Sequence, residues 1–178
     1  MERRALLKLG LGGGALLAIG GVGLALRGPT RSRPVPADLK ALTDRQYLTL
    51  AAVAARVCHA PGDAPSADEV GVAQKLDKLL ATMHPADVKE LQQLLDLMDN
   101  ALGRLLLDGG TSTFTGSSDA EQDQILNDWR HSSLAVRQTG YKALTGLCAA
   151  AYYGDPRVYQ KIGYPGPPDF GNYKGAGA

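Results

Sequence analysis

Aromatic rings and sulfur are scarce in this chain: one Trp, two Phe, three Met and two Cys among 178 residues. Strands are enriched in aromatic and β-branched side chains, so an aromatic share of 6% beside abundant Ala, Leu and Gly favours helices over sheets. No Cys-x-x-Cys-His occurs, which excludes the usual covalent attachment of a c-type haem. The three histidines, His59, His84 and His131, have no second histidine or cysteine one helical turn away, so the spacing of a metal site is missing. Phosphate-loop, dinucleotide and nucleophile-elbow motifs are absent too. Asp96 and Asp99 share one helical face with no histidine beside them, and read as a solvated face. No catalytic, cofactor-binding or metal-ligating set is expected in this chain.

Charge of one sign is also lacking. The formal charge is +1, and residues 1–27 hold Arg3, Arg4, Lys8 and Arg27 against Glu2, leaving 15 basic and 17 acidic residues in the rest. A body at −2 argues against nucleic acid as a partner, since that affinity comes from clustered Lys and Arg on phosphates.

The N-terminus departs from this plainness. Arg3-Arg4-Ala5-Leu6-Leu7-Lys8 precedes an apolar run, Leu9 to Leu26, with seven glycines. Paired arginines, two large apolar residues and a lysine before a weakly hydrophobic run resemble a twin-arginine export signal, whose passengers cross the membrane folded. Arg3, Arg4, Leu6, Leu7 and Lys8 are its candidate residues. The alternative is a plain anchor, although eighteen residues at about 1.5 Å each reach about 27 Å, short of a hydrocarbon core of about 30 Å. Gly23-Leu24-Ala25 is an acceptable cleavage site, and an uncut signal would remain as a tether.

The organisation expected is a signal or anchor over residues 1–27, a Pro- and Arg-rich linker over 28–42, a helical bundle over 43–153, and a turn with an extended tail over 154–178. Three capping boxes punctuate the bundle at Thr43–Gln46, Ser66–Glu69 and Ser118–Glu121. Helical spacing predicts helices from Thr43 to Cys58, from Ala67 to Met83, from Pro85 to Leu107, from Asp119 past Trp129, and from Leu134 to Tyr153. Residues 108–117 read as a polar connecting loop. The fold class is all-α, an irregular bundle of about five helices.

Beyond Gly154-Asp155-Pro156 comes one short turn, then Gly163-Tyr164-Pro165-Gly166-Pro167-Pro168, which can neither continue a helix nor pair as a central strand. Tyr152, Tyr153, Tyr159 and Tyr164 gather near this turn, and Tyr is over-represented at interfaces. Docking on a partner and self-packing as a lid are both open. Trp129 is a core residue or an anchor. Arg137 either snorkels to solvent or pins the tail with its planar fork, and pinning is the reading taken here. The candidate interface thus comprises Trp129, Arg137, Tyr152, Tyr153, Asp155, Tyr159, Tyr164, Pro165, Gly166, Pro167 and Pro168. Cys58 and Cys148 lie on apolar stripes, as two buried thiols, as a disulfide between the first and last long helices, or as a bridge to a partner.

The run Leu134-x-x-Arg137-x-x-x-Tyr141-x-x-Leu144, then Ala151-Tyr152-Tyr153-Gly154-Asp155-Pro156, then Ile162-Gly163-Tyr164-Pro165-Gly166-Pro167-Pro168, resembles the C-terminal signature of the gluconate 2-dehydrogenase subunit 3 family. The loop Ala60-Pro61-Gly62-Asp63-Ala64-Pro65 is similar to that family too. The resemblance implies a small accessory subunit whose large partner, a glucose-methanol-choline type oxidoreductase, binds FAD and oxidises the substrate. Electrons would pass to a cytochrome c subunit or another acceptor. It further implies that the small subunit supplies the export signal and folding support, so the complex would work in the periplasm or on the periplasmic face of the inner membrane. The competing readings are a free-standing periplasmic helical enzyme or ligand-binding protein, built around Asp128, His131 and Arg137, and a membrane-anchored scaffold.

Overall fold

A computed structural model describes residues 33–100 and 112–166. The signal residues Arg3, Arg4, Leu6, Leu7 and Lys8, the Leu9–Leu26 run, and Pro167 and Pro168 lie outside the described residues, as does the stretch expected to carry the third helix to Leu107. Among the described residues there are seven α-helices and no strand, so the chain is all-α.

All three capping boxes form. Helix α1, Asp44–Val57, starts where the Thr43 hydroxyl accepts from Gln46 N and the Gln46 side chain accepts from Thr43 N at 3.1 Å. The Ser66–Glu69 box opens only a single turn, α2, Ala67–Val70. The sequence reading carried this helix unbroken to Met83. Instead Gly71 adopts the left-handed conformation at φ +71°, and a separate helix α3, Val72–Leu80, begins there. Helix α4, Pro85–Met98, has Pro at its first position and His84 Nδ1 accepting from Ala86 N at 3.2 Å as its cap. Helix α5, Asp119–Arg130, follows the Ser118–Glu121 box, and α6, Ala135–Tyr153, is the longest. The last is α7, Pro156–Tyr159.

Helix α1 is the hub, packing on α3, α4, α5 and α6. Its run Ala51-Ala52-Val53-Ala54 is wholly buried, and the small side chains let neighbouring axes close in on it from several sides. Leu50 and Val53 fill the centre with Leu80, Leu95, Leu144 and Val158. A fully buried aliphatic side chain of this size contributes about 1.5–3 kcal/mol.

Two buried carboxylates tie the irregular segments down. Asp77 on α3, 1% exposed, accepts the backbone N–H groups of Lys40 at 2.8 Å, Ala41 at 3.0 Å and Leu42 at 2.9 Å. The end of the expected linker is therefore docked against α3. Asp99, just after α4, is 0% exposed, which corrects its reading as a solvated residue. Its side chain accepts from Thr115 N and Thr115 Oγ1, each at 2.8 Å, and from Arg45 Nε at 3.0 Å. Asp96, its helix neighbour, accepts from Gln46 Nε2 at 3.0 Å. Residues 112–117 are turns and bends, as a connection would be, but they are not solvated: Phe114 is fully buried and buried Gln122 donates to its carbonyl at 3.0 Å, so this part of the loop plugs the core.

Candidate functional site

The distinctive residues converge where α6 ends. Asp155 caps α7, accepting from Arg157 N at 3.0 Å. The same carboxylate accepts from Arg157 Nε at 2.9 Å and Nη2 at 3.0 Å, and from Lys75 Nζ of α3 at 2.6 Å. The Arg157 guanidinium, with Lys75 adding to it, holds the Asp155 carboxyl well below the usual carboxylate range. Arg157 Nη1 also reaches the carbonyl of Glu69 at 3.3 Å, and Lys161 pairs with Asp63 at 2.7 Å. Asp155 and these three cations therefore fasten the turn to α2, α3 and the Pro61–Pro65 loop.

The tyrosines complete the join. Tyr152 OH donates to the carbonyl of Pro65 at 2.7 Å, and Tyr153 OH to that of His59 at 2.6 Å, so both hold the 58–66 loop. Their rings meet edge to face at 5.1 Å. Tyr159 and Tyr164 repeat that geometry at 5.6 Å. Gly166, at φ +107°, lies over Tyr159, and a Cβ there would sit 3.2 Å from its hydroxyl. The beginning of the tail thus packs on its own chain, as the lid reading expects, while Tyr164 remains 48% exposed and Ile162 and Pro165 stand exposed beside it.

The candidate interface residues separate into three places. Trp129, Arg137, Tyr152 and Asp155 are buried within this chain and present little surface to anything else. Tyr153, Tyr159 and Gly166 are half-buried, and Tyr164 and Pro165 are exposed. Arg137 stands with its guanidinium carbon 6.0 Å from the Trp129 ring centroid, a cation–π contact between α5 and α6. It lies fifteen residues, about 22 Å of helix, before Tyr152. The cations bonded to the turn are Lys75, Arg157 and Lys161, which sequence reasoning missed. Local spacing could have flagged Arg157 beside Asp155, whereas Lys75 is eighty residues away.

The set behind the free-standing enzyme reading is bonded elsewhere. His131 Nδ1 meets the Asn127 carbonyl at 3.0 Å, and Asp128 accepts from Gln124 at 2.8 Å. Cys58 and Cys148 are free and buried. Burial pushes the Cys58 thiol up to about 11, and burial together with nearby Cys58 raises that of Cys148. Among the described residues no helix is long and apolar enough to cross a membrane, and no three His, Cys, Asp or Glu side chains group as metal ligands do.

The family model for gluconate 2-dehydrogenase subunit 3 matches residues 44–166, from the first residue of α1 to the glycine over Tyr159. The chain belongs to the gluconate 2-dehydrogenase subunit 3 family. The match covers all seven helices, and both the Asp155 cluster and the tyrosine pairs fall inside it. Membership in a family of dehydrogenase third subunits makes this chain an accessory subunit of a dehydrogenase complex. No curated protein and no solved structure matches the chain.

Proposed function

We propose that this chain is the non-catalytic small subunit of an exported, flavin-dependent dehydrogenase. It carries the export signal for a larger, FAD-binding subunit of the glucose-methanol-choline type and supports that subunit's folding, with a cytochrome c subunit as a further partner. The observation that carries this reading is the family match over residues 44–166, in a chain that opens on Arg3-Arg4-Ala5-Leu6-Leu7-Lys8. A flavoprotein must close around FAD where FAD is made, so it has to cross the membrane already folded. A small bound subunit with a twin-arginine address meets that requirement, and places the complex in the periplasm or on the periplasmic face of the inner membrane.

The exposed part of the turn, Ile162, Tyr164 and Pro165, is then one contact with the large subunit, held rigid by the Asp155 ion pairs and Gly166. Co-expression with the large subunit tests the carrier role. Arg3→Lys with Arg4→Lys should strand dehydrogenase activity in the cytoplasm while the two chains still copurify. Undiminished activity outside the cytoplasm would end the carrier role.

A further inference from the structure

A groove of about 560 Å³ lies between α4 and α6, with Leu80 of α3 also lining it. Its floor is aliphatic, with Leu91, Leu94 and Leu97 from α4 facing Ala143 and Leu147 of α6. Gly140 leaves the room that Leu94 occupies, since a Cβ there would strike the Leu94 side chain and come within 3.1 Å of Trp129. Of its lining residues Met83 and Val136 are exposed, Val136 by 56%, and Leu79 and Leu134, next in sequence to the lining residues Leu80 and Ala135, are exposed too. Isolated exposed apolar residues need no explanation, but several at or beside the lining of one apolar groove make it a candidate docking surface.

The charge of the rim says what docks. The only ionisable side chains among the described lining residues are Asp87 and Glu90, both exposed on α4, and neither has an ion-pair partner among the described residues. Other surface carboxylates divide: Asp63 pairs with Lys161, Asp68 with Arg33, and Asp119 and Asp123 with Arg56, whereas exposed Asp38, Asp44 and Asp128 have no ion pair among the described residues and line no apolar groove of this kind. An apolar trough with two unmatched carboxylates on its rim fits a helix that is apolar on one face and carries Lys or Arg at the edge of that face.

We propose that the α4–α6 groove receives such a basic-edged amphipathic helix of the dehydrogenase's large subunit. The inference rests on the proposed function for its partner, and locates the second contact along the same helix, α6, that ends in the turn. Aliphatic packing supplies the affinity, and Asp87 and Glu90 set the orientation of the incoming helix and make association sensitive to salt.

The test is co-purification of the full chain with its flavin-containing large subunit, in three forms. One is the unaltered chain, one carries Val136→Asp, and one carries Asp87→Lys with Glu90→Lys. All three changes are at exposed positions, and the melting temperature of each lone variant checks that the fold is kept. The recovered large subunit should fall at least tenfold for both variants. A photo-crosslinking residue at position 136 should label a large-subunit peptide that has an apolar face edged by Lys or Arg. Undiminished recovery of the large subunit by both variants would overturn the groove inference and leave the accessory role intact. So would a crosslink to a second copy of this chain, to residues 9–26 or to residues 101–107. If the unaltered chain recovers no flavoprotein, the proposed function falls and this inference with it.

Discussion

Replacing Asp155 by Asn separates the two tasks of one side chain. Asn caps a helix about as well as Asp, so the bond from Arg157 N can persist. What disappears is the charge that draws Lys75 Nζ to 2.6 Å and the Arg157 guanidinium to 2.9 and 3.0 Å. Charge-assisted hydrogen bonds are each worth about 1.5–3 kcal/mol when well desolvated. Both cations are about half exposed and can rehydrate once released, so the net loss for Asp155→Asn should be about 1–2 kcal/mol. Asp155→Ala also loses the cap, a further loss of about 1 kcal/mol. For a domain of this size, the Asn variant should melt about 3–6 °C lower.

The pH dependence gives a sharper criterion. The Asp155 pKa is depressed in the folded chain, mainly by Arg157 and then by Lys75, whereas an unfolded Asp titrates near about 3.9. The stabilisation is therefore complete well above about pH 4 and is lost as the pH falls from there through the folded value. Urea denaturation followed by far-UV circular dichroism should show a constant gap between the native chain and Asp155→Asn from pH 7 to pH 5. By pH 3 that gap should have narrowed by about 1 kcal/mol. A gap that stays the same or widens toward pH 3 would refute the ion-pair account, and equal losses for the Asn and Ala variants would refute the capping account.

Four other outcomes follow from particular contacts. Asp99→Ala removes the buried acceptor of Thr115 N–H and of Arg45 Nε, while Arg45 Nη2 keeps the carbonyl of residue 99, and should cost about 2 kcal/mol in the same denaturation assay. Gly71→Ala forces a side chain into the left-handed conformation between α2 and α3 and should cost about 1 kcal/mol, with little change in helix content by circular dichroism. Tyr164→Ala should weaken binding to the large subunit by about 2 kcal/mol in a titration while shifting the melting point of the lone chain by less than about 2 °C. Both thiols should resist a water-soluble disulfide reagent at neutral pH in the native chain and react once it is unfolded, because burial keeps Cys58 and Cys148 protonated and shielded.

Most of the helical scaffold was legible in the sequence because its signals are local. A capping box needs only four consecutive residues, and all three boxes form at the expected positions. Gly71 escaped notice because one glycine in a helical pattern is usually tolerated, and nothing nearby announces a left-handed turn. The turn after α6 was read correctly as the end of the helix, but its attachment was not. Arg137, read as a pin for its planar fork among apolar neighbours, makes a cation–π contact with Trp129 fifteen residues before Tyr152, a pairing across two helices that local sequence does not announce.

The missed features share one physical cause. Asp77, Asp99 and Asp155 look alike in sequence, each an acidic residue on or beside a helix, and ordinarily such residues stay in water. Each is buried here because a distant segment brings donors to it: residues 40–42 to Asp77, Arg45 and Thr115 to Asp99, and Lys75 to Asp155. Three described segments, residues 40–42, residues 112–117 and the turn after α6, are thus held by carboxylates as well as by apolar packing. Asp87 and Glu90 are the contrast, two carboxylates beside an apolar groove with no cation supplied by the described residues. On the proposed docking, the basic edge of the incoming helix would supply those donors beside the aliphatic groove, as Lys75 and Arg157 do for Asp155 within this chain.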